Sequence, residues 1–172
     1  MRPIRLPTLI AMTVWIGLAS GAVLASDAPA ATEASVAPVA AFDAELAARH
    51  GADERGMRRY VLVVLKTGPT RVPDGEARTA MFAGHMANIQ RLAKAGKLAV
   101  AGPFMPSDSG WRGLFVFAVE SVEEAKALTE TDPVIVNGEM VAEYHPWYGS
   151  AALMATAELH ERMVPPPAAK AD

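Results

Sequence analysis

The chain has 172 residues, 51% of them hydrophobic, with 16 Lys and Arg against 19 Asp and Glu and a net charge of −3. An acidic balance with no block of Lys or Arg excludes an electrostatic footprint for nucleic acid. Cys is absent, which excludes disulfides, thiolate metal sites, a cysteine nucleophile and a cysteine-linked lipid anchor.

Residues 1–25 have the order of a secretory signal peptide: basic Met1–Arg5, mostly apolar Leu6–Ala22, then Val23 and Ala25 at −3 and −1 for a cut before Ser26. Pro7, Gly17 and Gly21 interrupt the apolar stretch, which is short for a retained membrane span. The expected product is exported, periplasmic or secreted, with no membrane attachment after cleavage. Arg2 and Arg5 leave with the leader, so the mature chain carries 14 basic against 19 acidic residues, a net charge of −5. Residues 26–58 read as a linker with a short helix. Ser26–Ala41 is rich in Ala, Pro and Ser. Phe42–His50 has Phe42, Leu46 and Ala47 on one helical side, and polar Gly51–Arg58 ends it.

Residues 59–149 carry the compact pattern. Tyr60–Leu65 is a continuous apolar, β-branched run, predicted as a strand buried on both faces. Gly68-Pro69 and Pro73 mark a loop. Glu76–Ala95 has helical spacing, with Phe82, Met86, Ile89 and Ala93 on one stripe and Gly96 placed to end it. Lys97–Phe104 reads as a second strand, Pro106–Gly110 as a turn and Trp111–Val119 as a third strand. Ser121 with Glu124 three residues on is a capping-box pattern for a helix reaching about Glu130, where Asp132-Pro133 punctuates it. Gly138 precedes a fourth strand, Glu139–Trp147. Residues 150–172 form a C-terminal extension, and from Met163 onward, through Pro165–Pro167, it reads as a tail.

Strand-helix-strand-strand-helix-strand is the α+β ferredoxin-like βαββαβ order, with a four-stranded antiparallel sheet. Right-handed crossovers put both helices on one face. The other face is then bare, although Leu62, Val64, Leu114 and Val116 make it apolar. Two sheets packed face to face would cover it, so a homodimer is expected.

His85 falls on the apolar arc of its helix and is the first candidate for proton transfer. Asp132 follows a helix C-terminus, where the macrodipole calls for a compensating cation. His145 and Trp147 share one parity of the last strand and are candidates for a cleft mouth, as are Arg112 and the Gly102-Pro103 strand end. No His-x₃-His or HExxH spacing supports a metal site, and no GxGxxG, P-loop or GxSxG motif implies a cofactor or an activated serine.

The segments YVLVVLKTGP (Tyr60–Pro69), HMANIQRLAKAGKLAVAGPF (His85–Phe104), RGLFVFAVESVEEAKAL (Arg112–Leu128), TDP (Thr131–Pro133) and AEYHPWYG (Ala142–Gly149) together resemble the YCII-related family. The resemblance implies a ferredoxin-like fold that dimerises as an α+β barrel. It also implies a histidine–aspartate active-site pair, whose matching positions here are His85 and Asp132. The expected function is proton transfer of lyase or isomerase type on a small, aromatic molecule. His85 would be base or acid, and Asp132 would fix its tautomer. The alternative is a non-catalytic homodimer binding a small ligand in the same cleft.

Overall fold

A computed structural model describes residues 41–165. The signal-peptide reading, almost all of the Ser26–Ala41 linker and the final polar residues lie outside them. Among the described residues, no helix is long and apolar enough to cross a membrane.

Asp43 caps a six-residue helix, α1 (Ala44–Arg49), by accepting from Leu46 N–H. No residue of α1 is buried, and Phe42 is 85% exposed. Eight further elements follow in regular order, joined near the C-terminus by a 3₁₀ turn. They are β1 (Met57–Thr67), α2 (Glu76–Lys94), β2 (Leu98–Pro103), β3 (Trp111–Phe117), α3 (Val122–Thr129), α4 (Pro133–Val136), β4 (Met140–Ser150) and α5 (Thr156–Met163), with the 3₁₀ turn at Ala151–Ala155. The sheet order is β2-β3-β1-β4, and the hydrogen-bonded neighbours are all antiparallel. This is the expected α+β ferredoxin-like arrangement. Strands β1 and β4 run several residues beyond the apolar runs because backbone pairing continues from Met57↔Ser150 to Thr67↔Met140, polar side chains included.

Alternation along each strand sorts the residues into two faces. Val61, Val63, Leu65, Phe115 and Phe117 face the helices and pack with Met81, Leu92, Ala125, Val134 and Met140. The buried stripe of α2 is Met81, Asn88 and Leu92. It is rotated away from the predicted Phe82–Met86 stripe, and Met86 is 52% exposed. The cause is polar: Asn88 is buried because it has partners in Thr131 and Asp132, between α3 and α4, which hydrophobic periodicity does not register.

The opposite face corrects the premise of the predicted dimer. It is not bare. Tyr60, Ala99, Val116 and Ala118 are buried there beneath Leu153 and Met154 of the C-terminal 3₁₀ turn. Ser150 starts that turn by accepting from Ala152 N–H, and Ala151 N–H donates to Gly56 O. The segment read as an extension is therefore a third cover on the sheet. It leaves Val141 and Trp147 exposed along β4.

Two glycines permit close approaches that place the functional residues. A Cβ on Gly68 would lie 2.1 Å from Gly138 O, so only glycine lets the end of β1 meet the start of β4, where Gly68 N–H donates to Glu139 O. A Cβ on Gly84 would lie 3.0 Å from Pro133 Cγ, so glycine brings α2 against α4 one residue before His85.

Candidate active site

Asp132 stands between two helices. Its backbone ends α3, and its side chain caps α4 by accepting from Val134 N–H at 3.1 Å, with Pro133 at the first helical position. The unfavourable C-terminal dipole expected at this position is thus answered partly by a new helix start. The remaining partners come from α2. His85 Nδ1 lies 2.9 and 2.8 Å from Oδ1 and Oδ2, and Asn88 Nδ2 donates to Oδ2 at 3.3 Å. His85 and Asn88 are three residues apart, so one helical face presents both donors. Asp132 is fully buried and the His85 side chain is 12% exposed.

With Nδ1 facing a carboxylate, the neutral ring carries its proton there and leaves a lone pair on Nε2. Nε2 has no hydrogen-bond partner among the described residues, and it is not among their buried unpaired atoms, so solvent reaches it. The ring is held by Phe82, edge-on at 6.3 Å, and by Phe115 at 6.0 Å. Behind Asp132 a second layer fixes Asn88: its Oδ1 accepts from Arg91 Nη2 at 2.6 Å and from Thr131 Oγ1 at 3.2 Å. The pair is thus oriented on one nitrogen and open on the other, which is the geometry of a proton acceptor and donor.

A second buried carboxylate meets α2 at Arg78, about two turns before His85. Glu139, 2% exposed, accepts from Arg78 Nη2 at 2.7 Å through Oε1. Its Oε2 accepts from Arg78 Nη1 and from Val72 N–H, both at 2.8 Å. The Arg78 guanidinium beside it holds this carboxyl below the usual glutamate range. Arg78 also stacks over Phe82, 5.0 Å from the ring centroid, which links this ion pair to the wall of the His85 site.

The other expected site residues are dispersed. His145 and Trp147 do not join His85. Leu62↔His145 and Tyr60↔Trp147 pairing, with side-chain alternation, puts both on the sheet face opposite the helices. There His145 Nε2 lies 2.9 Å from Glu143, and Trp147 packs 5.7 Å from Tyr60. Gly102 and Pro103 end β2, exposed, paired with Leu114 and Gly113. Arg112 lies on the same strand end, its Nη1 3.8 Å from Glu139 Oε1. Among the described residues no group of three or more His, Asp or Glu side chains could hold a metal ion. Asn88, Arg78 and Glu139 were not singled out from sequence. Gly138, which lets Glu139 open β4 beside Gly68, was the nearest signal.

A family model, the YCII-related domain, matches residues 57–148. No curated protein matches the chain. Among solved structures, 5-chloro-2-hydroxyhydroquinone dehydrochlorinase from Burkholderia phenoliruptrix AC1100, in complex with 2,5-dihydroxybenzoquinone, is similar at 22% identity with a TM-score of 0.39. That similarity covers 51% of this chain and 92% of the other.

Proposed function

This chain belongs to the YCII-related family, and from that premise we propose that it is a proton-transfer enzyme of lyase or isomerase type, with His85 and Asp132 as its working pair. His85 Nε2 takes a proton from a small substrate and returns it, either to another atom of that molecule or as a group departs. Asp132 holds the Nδ1–H tautomer, and Asn88 holds Asp132. The observation that carries this reading is the asymmetry of His85: Nδ1 is bound to a fully buried carboxylate while Nε2 has no partner among the described residues. Phe82, partly buried beside the ring, favours an aromatic substrate.

The substitution His85→Asn tests it, because an asparagine amide donates from about the position of Nδ1 yet has nothing at Nε2. With a panel of hydroxyaromatics followed by proton NMR in heavy water, the parent protein should exchange or rearrange at least one member. His85→Asn should lose that turnover at least about 100-fold. Saturable binding without turnover, abolished in Asp132→Asn, would favour the second reading, a non-catalytic ligand-binding protein using the same cleft.

Export and self-association belong to the same reading. The Val23–Ala25 pattern supports a mature protein beginning at Ser26, which N-terminal sequencing of extracytoplasmic material checks. A homodimer has a smaller surface to use than a bare sheet would offer, namely the β4 edge with exposed Val141 and Trp147. Sedimentation giving a monomer at micromolar concentration would remove the dimer and leave Leu153 and Met154 as sufficient cover.

A further inference from the structure

Arg112 carries a charge that the fold engages only through one long ion pair. Its guanidinium makes no hydrogen bond among the described residues, and its side chain is 31% exposed. The carboxylate beside it, Glu139 at 3.8 Å, already has Arg78 on both oxygens and Val72 N–H on one. Arg78 also meets Asp74, which Arg71 shares, so three guanidinium groups face two carboxylates and one positive charge is left over. Leu65 pairs with Gly113 and Lys66 with Trp111, so Arg112 is the extra residue of a β-bulge, a device that re-aims side chains at a sheet rim.

The same bulge borders a pocket of about 270 Å³ lined by Thr67, Phe104, Pro106, Ser107, Trp111 and Arg112. Phe104 and Trp111 meet there at 5.2 Å and 52°, and Trp111 is 44% exposed. The volume lies just under the roughly 300–1,000 Å³ of pockets for larger ligands, which suits one ring. We propose that this pocket binds a single-ring aromatic carboxylate, its ring against Phe104 and Trp111 and its carboxylate on the Arg112 fork. A planar monoanion matches both the single surplus charge and the two-pronged geometry of guanidinium. A phosphate dianion would bring a second negative charge towards Glu139. His85 does not line this pocket, so the proposal adds a second site to the reading above and does not rest on proton transfer.

Benzoate is the probe, titrated into the mature protein by amide NMR, with benzyl alcohol, cyclohexanecarboxylate and inorganic phosphate as comparisons. Benzoate should shift Thr67 and the Phe104–Arg112 segment, and should bind at least about tenfold more tightly than benzyl alcohol, since hydrogen bonds to charged groups are the stronger ones. Cyclohexanecarboxylate, without a π-face, and phosphate should both be weaker than benzoate. Arg112→Gln should cost benzoate about tenfold or more and leave benzyl alcohol unchanged, and Arg112→Lys should fall between. Trp111→Ala, at an exposed position, should weaken benzoate independently if Arg112→Gln fails to fold. His85→Asn should keep benzoate affinity within about twofold. Equal binding of benzoate and benzyl alcohol, benzoate binding indifferent to both Arg112→Gln and Trp111→Ala, or shifts centred away from this segment would overturn the proposal. Benzoate bound here by a protein that turns over no compound would overturn the His85 chemistry alone.

Discussion

Among the described residues two carboxylates are buried, and they differ in what faces them. Glu139 is met by an arginine that is always charged and by a backbone N–H, and both of its oxygens are occupied. It ties Val72 and the first turn of α2 to the start of β4. Asp132 is met by an asparagine, a helix-start N–H and a histidine whose second nitrogen is open. Burial of an acid therefore does not by itself mark chemistry. A fixed cation on every lone pair makes a brace, whereas a titratable partner with a free nitrogen makes a site.

The sharpest way to break this contrast is to remove each acid's partner in turn. Arg78→Ala should cost about 3 kcal/mol, because it leaves the buried Glu139 carboxylate with the Val72 N–H as its one hydrogen-bond donor. His85→Asn should cost about 1 kcal/mol or less, since a donor to Asp132 remains. Urea midpoints of the two variants measure the difference. Equal losses would mean that His85 braces the fold as much as Arg78 does.

Gly84→Ala probes the approach that brings the two helices together. A methyl group 3.0 Å from Pro133 Cγ must push α4 outward or strain α2. Such overpacking costs about 1–2 kcal/mol, and it should lengthen the His85–Asp132 contact before it unfolds the protein. The nitrogen resonances of His85, which report the tautomer, should then become a mixture of both forms. An unchanged single tautomer would show that α4 yields without moving Asp132.

The legible parts of this molecule were those written in local spacing. Apolar runs and glycine or proline breaks locate all four strands and both long helices, and the helical arc puts His85 towards the sheet. Asp132 was legible as a residue needing a cation, and the family resemblance supplied His85 as its partner. What escaped was long-range. Asn88 sits at a polar position of α2 that periodicity assigns to solvent, and its bond to Asp132 explains its burial. The Arg78–Glu139 brace joins residues 61 apart, a separation with no pattern to read. Parity along β4 grouped His145 with Trp147 but could not say which face meets the helices. The C-terminal cover was missed because short, alanine-rich Ala151–Ala155 has no period of its own and is held by Leu153 and Met154 meeting the sheet.

The smallest expected effect is the pH dependence of the brace, and it separates the acids once more. Glu139 binds its proton less readily in the folded chain than at the usual value of 4.5, chiefly through its hydrogen bonds from Arg78. The unfolded chain therefore holds more protons on this residue as acid is added, which favours unfolding. The stability supplied by the pair is whole above about 4.5 and drains away as pH falls through the lower folded value. Asp53 and Glu143 are shifted the same way by Tyr148 and Lys66, so the parent protein loses stability in acid from several sources. Glu139→Gln isolates one of them. It is less stable at neutral pH, and because glutamine does not titrate, its urea midpoint should fall less steeply than the parent's between pH 5 and about 3. The two curves should converge towards the acid end. Parallel curves would mean that Glu139 keeps its ordinary proton affinity despite Arg78, and the brace would then be a matter of shape and hydrogen bonding, with no net preference for the charged acid.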